Sequence, residues 1–145
     1  MLHDLHAATR ATVHLAVREG ESALYLDRIA GQSSVPVVSR IGSRLPLYAT
    51  GVGKVLLAYA PADVTAAAMA HLKPLTPHTV TAPGLLARQL ARVRSEGYAT
   101  TREEMTLGAC SVGVPVRSGS AVVAAIGVVV PDVRRDRARL IAALT

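Results

Sequence analysis

Hydrophobic and polar positions alternate near the start of the chain with a period of two. Between Thr12 and Arg18, Val13, Leu15 and Val17 fall on one side of an extended backbone and His14 and Ala16 on the other, which predicts a β-strand. Glu19-Gly20-Glu21-Ser22 reads as a turn and Ala23 to Ile29 as the returning strand, so the two form a β-hairpin. Gly31 to Ser34 turns again, and Val35 to Ile41 reads as a third strand. Pro36 offers no N–H, which places that strand at an edge or starts its ladder after the proline. Ahead of the hairpin, Leu2, Leu5 and then Ala8 or Thr9 make a short helical stripe.

The period lengthens after Gly42. Leu45-Pro46-Leu47 is a Pro-stiffened extended piece, Thr50 suits a helix N-cap, and Lys54-Val55-Leu56-Leu57 continues an apolar helix. Gly51 and Gly53 stand in its first turn, at a cost of about 1 kcal/mol each against alanine. Two accounts of that cost stay open. Either another segment packs tightly there, or a ligand carboxylate meets bare N–H groups at the positive end of the helix dipole. Lys54 itself reads as a solvent-facing side chain or as the partner of a carboxylate.

Pro61-Ala62-Asp63 opens a second helix that runs to Ala70, and Leu75 to Thr79 is a loop. Leu85, Leu86, Leu90 and Val93 make the apolar stripe of a third, with Gly97 ending it. Tyr98 to Glu104 reads as a short strand into a polar turn. Ser111 to Arg117 and Ala121 to Val130 flank Ser118-Gly119-Ser120 as a second hairpin, and the run from Val122 to Val130 needs cover on both faces. Arg134 to Thr145 is an amphipathic helix (Leu140, Ile141, Leu144) that stops without a cap, as if the chain continued. The order predicts one α+β domain over 1–145, a mostly antiparallel β-sheet flanked by α-helices.

Composition narrows the class. Half of the 145 residues are hydrophobic, yet Phe and Trp are absent, so Ala, Val, Leu and Ile must fill the core. No apolar run is long enough to span a membrane, no signal peptide opens the chain, and one cysteine permits no internal disulfide. A cytoplasmic protein is expected. The net charge is +6, with much of the excess on Arg88, Arg92, Arg94 and on Arg134, Arg135, Arg137, Arg139. A binder of single-stranded nucleic acid would want aromatic platforms, and only four tyrosines exist. Solvated helix faces, or a surface meeting the rest of a longer protein, account for the arginines better.

Catalytic and cofactor motifs fail one by one. A Walker A loop would need Gly and Ser or Thr where Tyr48 and Val55 stand, and a dinucleotide fingerprint would need Gly at Leu56. His3 and His6 lack a third metal ligand nearby in sequence. Cys110 lies near Glu103 and Glu104, but nothing places a base within reach of the thiol, and buried cysteine serves mostly as a small hydrophobe. No catalytic residue, metal or cofactor is expected.

Gly42, Arg44, Pro46, Leu47, Tyr48, Ala49, Thr50, Gly53, Lys54, Leu56, Leu57 and Ala58 together resemble the signature of the effector-binding domain of IclR-type bacterial transcription regulators. Thr12 to Ala16, Tyr25 to Arg28, Arg94 to Tyr98 and Glu103-Glu104 extend the resemblance over nearly the whole chain. It implies a GAF/profilin-like fold and an effector held between the sheet and the glycine-rich helix start. Leu45, Gly51, Val52, Thr101, Ser111, Gly127 and Val129 would line that pocket, with Thr50 and Ser111 donating to a carboxylate that faces the Gly51 and Val52 amides. Thr101 stands where relatives that bind short keto acids carry an acid. Ser111 replaces a cysteine common in the family, and Gly127 and Val129 replace hydroxyl side chains. Losing hydroxyls disfavours a small polar ligand by about 1–3 kcal/mol per missing bond. With Gly127 leaving space, an aromatic or longer-chain organic acid is expected.

The resemblance further implies a homodimer or homotetramer, and DNA contact only through a winged helix-turn-helix that would precede residue 1. The alternative is a free-standing GAF-like ligand-binding protein or a small metal-dependent enzyme. A helix-turn-helix coding segment upstream in the gene separates the first reading from these.

Overall fold

The computed structural model describes residues 2–9, 11–29 and 40–144. A first helix, α1 (Leu2–Thr9), leads into the hairpin β1 (Thr12–Glu19) and β2 (Ser22–Ile29), turned at Gly20 in the left-handed region that glycine adopts without strain. The expected turn at 31–34 and most of the expected strand at 35–41 lie outside the described residues. Arg40 and Ile41 are not in a strand, and the described third strand is β3 (Arg44–Pro46), the Pro-stiffened piece. Three helices follow, α2 (Gly51–Ala58), α3 (Ala62–Met69) and α4 (Pro83–Glu96). The chain then returns through β4 (Ala99–Arg102), β5 (Cys110–Ser118) and β6 (Ala121–Val130) to α5 (Val133–Leu144).

The six strands form one antiparallel sheet in the order β3-β2-β1-β6-β5-β4, so the architecture is α+β with helices on both faces. Cross-strand partners share a face. One row therefore runs Ala99, Gly113, Gly127, His14, Arg28 across five strands, and the next runs Thr101, Ser111, Val129, Thr12. On this face α2 and α4 build one core around Val55, Leu57, Leu86 and Leu90, and α1 and α5 build the other around Val13, Val112, Val128 and Leu140. Burial on both faces explains why the central strands read as nearly continuous apolar runs. Val123, half exposed beside the β5–β6 turn, escapes that cover. Leu85 also departs from expectation: Leu86, Leu90 and Val93 point inward on α4 while Leu85 is exposed.

Every residue of α2 is buried, and its first turn lies on bare backbone. A Cβ at Gly113 would stand 2.6 Å from the Gly51 carbonyl and 2.8 Å from the Val52 nitrogen, and one at Gly51 would meet Ser111 Oγ at 2.9 Å. Tight packing is thus the reason for glycine in that turn. Among the described residues no helix is long and apolar enough to cross a membrane.

Candidate functional site

The start of α2 settles most of its own polar groups. Thr50 caps it, its Oγ1 accepting from the Gly53 N–H at 2.9 Å and its carbonyl from Lys54 N–H at 2.9 Å. Gly51 N–H donates to Ser111 Oγ at 3.0 Å, and Ser111 Oγ lies 2.5 Å from Thr101 Oγ1 on the neighbouring strand. Of the four orphan donors that open a helix, only the Val52 N–H has no acceptor among the described residues. The two hydroxyls hold two hydrogens, and Ser111 already accepts from Gly51. One hydrogen bridges the pair and the other is left to donate outward. One of the expected donors is accordingly corrected: the Gly51 amide is already occupied by Ser111 Oγ.

Beside these groups lies a cavity of about 480 Å³, counting its open mouth. Leu45, Thr50, Gly51, Val52, Thr101, Ser111, Gly127 and Val129 all line it. Gly127 does not leave the space foreseen for it, because the Val52 side chain fills it: a Cβ there would stand 2.7 Å from Val52 Cγ1. The remaining wall includes His14, Tyr25, Met105, Thr106 and Cys110. The sequence reading missed the first two because it balanced His14 against an apolar face of β1, whereas both faces of β1 are covered. A histidine in mid-strand of a doubly covered sheet was the available signal.

His14 and Tyr25 meet edge to face, ring centroids 4.9 Å apart. Burial, then the Arg28 charge, lowers His14 from 6.5 to about 4, so the imidazole is neutral near pH 7. Burial raises the Tyr25 hydroxyl to about 12, against the opposing hydrogen bond from Thr50, and it stays protonated. The lining therefore contains no charged group at neutral pH: several hydroxyls, one free backbone donor and an otherwise apolar wall.

The loop from Glu103 to Ala109 closes one side, contributing Met105, Thr106 and Ala109. Glu104 anchors it from beneath, its carboxylate 2.8 and 2.9 Å from Lys54 Nζ, which also donates to Gln89 Oε1 at 2.5 Å. Lys54 is 1% exposed, so its carboxylate pairing is the alternative that holds. Burial draws the ammonium below its usual range while the Glu104 charge and hydrogen bonds oppose that. Glu103 accepts from the Gly108 N–H, and Cys110 Sγ approaches the Pro131 carbonyl at 3.6 Å, so neither carboxylate is set against the thiol. His3 is exposed, and among the described residues no group of three potential metal ligands assembles. Among the described residues, Arg92 pairs with Glu96, Arg134 with Asp132, and Arg137 donates to the Tyr98 hydroxyl.

Comparison with known proteins gives concordant results. The family profile described as Bacterial transcriptional regulator IclR C-terminal matches residues 1–145. HTH-type transcriptional regulator Rv1719 of Mycobacterium tuberculosis is 37% identical over 134 residues, covering 92% of this chain and 52% of the relative. The crystal structure of the Thermotoga maritima IclR superposes with a TM-score of 0.91 at 34% identity, over 99% of this chain and 60% of that one. An IclR homolog from Microbacterium hydrocarbonoxydans complexed with 4-hydroxybenzoate superposes at 0.90 with 31% identity, over 99% and 61%. The chain spans about half the length of the curated relatives it matches.

Proposed function

The chain belongs to the IclR family of bacterial transcriptional regulators, matching their C-terminal domain, and on that premise we propose that its 145 residues act as one effector-sensing domain. The effector is a small organic acid, aromatic or longer-chain, bound in the cavity at the start of α2. The observation that carries this reading is the Val52 N–H, a helix-terminal donor without an acceptor among the described residues, bordering a space walled by Thr101 and Ser111. A carboxylate there accepts from Val52 and from the outward hydroxyl, and the helix dipole favours its charge. The apolar remainder of the wall suits a ring or chain. The 4-hydroxybenzoate complex of a relative supports the aromatic class.

In the longer protein, binding shifts the equilibrium between subunit arrangements and thereby the spacing of helix-turn-helix units on DNA, within the cytoplasm and as a homodimer or homotetramer. Calorimetry with glyoxylate, pyruvate, benzoate, 4-hydroxybenzoate and phenylacetate tests the pocket. Benzoates or phenylacetate should bind, and Val52→Pro, which removes the free N–H where a helix tolerates proline, should weaken them about tenfold with helix content unchanged. Tight binding of the short keto acids with none of the aromatic acids would overturn the class of effector.

A further inference from the structure

A second cleft opens beside β4, the last strand in the sheet order. It measures about 520 Å³ counting its open mouth and shares no lining residue with the cavity at the start of α2. Lys54 of α2, Arg92 and Glu96 of α4, Tyr98 just before β4, Thr100 within it and Arg137 of α5 all line it. Lys54 is its buried floor, whereas Arg92, Glu96 and Arg137 are exposed at its mouth. Gln89 lines it too, and because its Oε1 accepts from Lys54, its amide nitrogen keeps two hydrogens to donate. Three cations thus meet one carboxylate in the lining. Lys54 is balanced by Glu104 behind it and Arg92 by Glu96 at 3.2 Å. Arg137 is not balanced in this way: it donates to the Tyr98 hydroxyl at 2.5 Å and forms no salt bridge among the described residues. Arg92, chiefly by its hydrogen bond, and more weakly the Arg137 charge hold the Glu96 carboxyl below its usual range, so it is ionised at neutral pH.

We propose that this cleft is a second ligand site, built for a small oxyanion of the phosphate class, free or as a monoester. The proposal goes beyond the acid-sensing cavity and does not rest on it. The excess positive charge sets the sign of the ligand, and the two guanidiniums supply the charge-assisted donors. Donors reach the cleft from α2, α4, β4 and α5, and a tetrahedral oxyanion accepts in more directions than a flat carboxylate does. Only Val93 and Ala99 bring wholly apolar side chains, so an aromatic acid has little to bury against here. An incoming phosphate competes with Glu96 for Arg92. That pair is exposed and spaced i,i+4, a class of ion pair weak enough to exchange.

The test is a phosphorus NMR titration of the 145-residue chain with inorganic phosphate and with methyl phosphate, at constant ionic strength and neutral pH. At least one of the two should bind saturably with a Kd of about 1 mM or tighter. Tighter binding of methyl phosphate identifies the ligand as an ester, and tighter binding of inorganic phosphate identifies it as the free ion. Arg137→Gln should weaken binding about tenfold and Arg137→Lys by less. Glu96→Gln, which releases Arg92 and removes the competing charge, should tighten it about threefold. These side chains are exposed, and unchanged circular dichroism verifies that each variant is folded. Arg88→Gln, an exposed arginine of α4 outside the cleft, controls for net charge and should leave the Kd within about twofold. The site is overturned if neither phosphate saturates below about 10 mM, if Arg88→Gln weakens binding as much as Arg137→Gln, or if Glu96→Gln weakens it. None of these results bears on benzoate in the first cavity, so the two readings fail separately.

Discussion

The His14 imidazole is 3% exposed beside the Arg28 cation, and both circumstances disfavour its protonated form. Its folded value of about 4 lies below 6.5, so the unfolded chain binds the extra proton between those limits. Stability is therefore full above pH 6.5 and falls as pH drops toward 4, by up to about 3 kcal/mol. Urea unfolding at pH 7.5 and 4.5 should show this: His14→Leu loses less stability on acidification than the wild type, by about 2–3 kcal/mol. Equal losses would acquit the histidine. Single residues were unevenly legible. Thr50 announced its cap by type and position, and the eight residues carried over for the pocket converge on one wall. Engagement was not legible. That Ser111 occupies the Gly51 amide, or that Val52 fills the space over Gly127, depends on distances across 60 and 75 positions of chain that no local pattern encodes.

At the scale of elements, α2 is held by two contacts of different kinds. One is backbone on backbone at Gly113, where a methyl group has nowhere to go because both neighbours are main chain. Gly113→Ala should cost about 3 kcal/mol, the upper end for overpacking, in a denaturant melt. A loss below half a kcal/mol would mean that the helix can slide. The other is the Lys54–Glu104 pair. Removing one partner, as in Lys54→Met or Glu104→Leu, leaves a buried charge alone and should cost about 3–5 kcal/mol. The double variant should lose far less than the two together, and additive losses would show no coupling. Helices and hairpins themselves were readable from periodicity, with boundaries close to those observed. Lys54 was not, since a helix buried on all sides offers no polar face from which to judge a lysine.

The sheet order is a property of the whole molecule, and it is what sequence periodicity conveys least. Hairpins follow from turns, but the pairing of Thr12 with Val129 closes a loop of most of the chain. Ligand linkage also acts on the molecule as a unit. An effector at one hundred times its Kd should stabilise the fold by about 2.7 kcal/mol. For a chain of this size that raises Tm by about 5–10 °C, read by scanning calorimetry with a saturating aromatic acid. A melt unmoved by an acid that calorimetry shows to bind would place its site outside the cooperative fold. The β1–β6 pairing bears on synthesis too. While the ribosome is still working, the first hairpin leaves the channel with its inner edge bare, and the strand that covers it emerges last among the six. Nascent chains halted before residue 121 would thus carry an unsealed edge and invite chaperones or aggregation, whereas release beyond residue 130 lets the sheet close in a single late step.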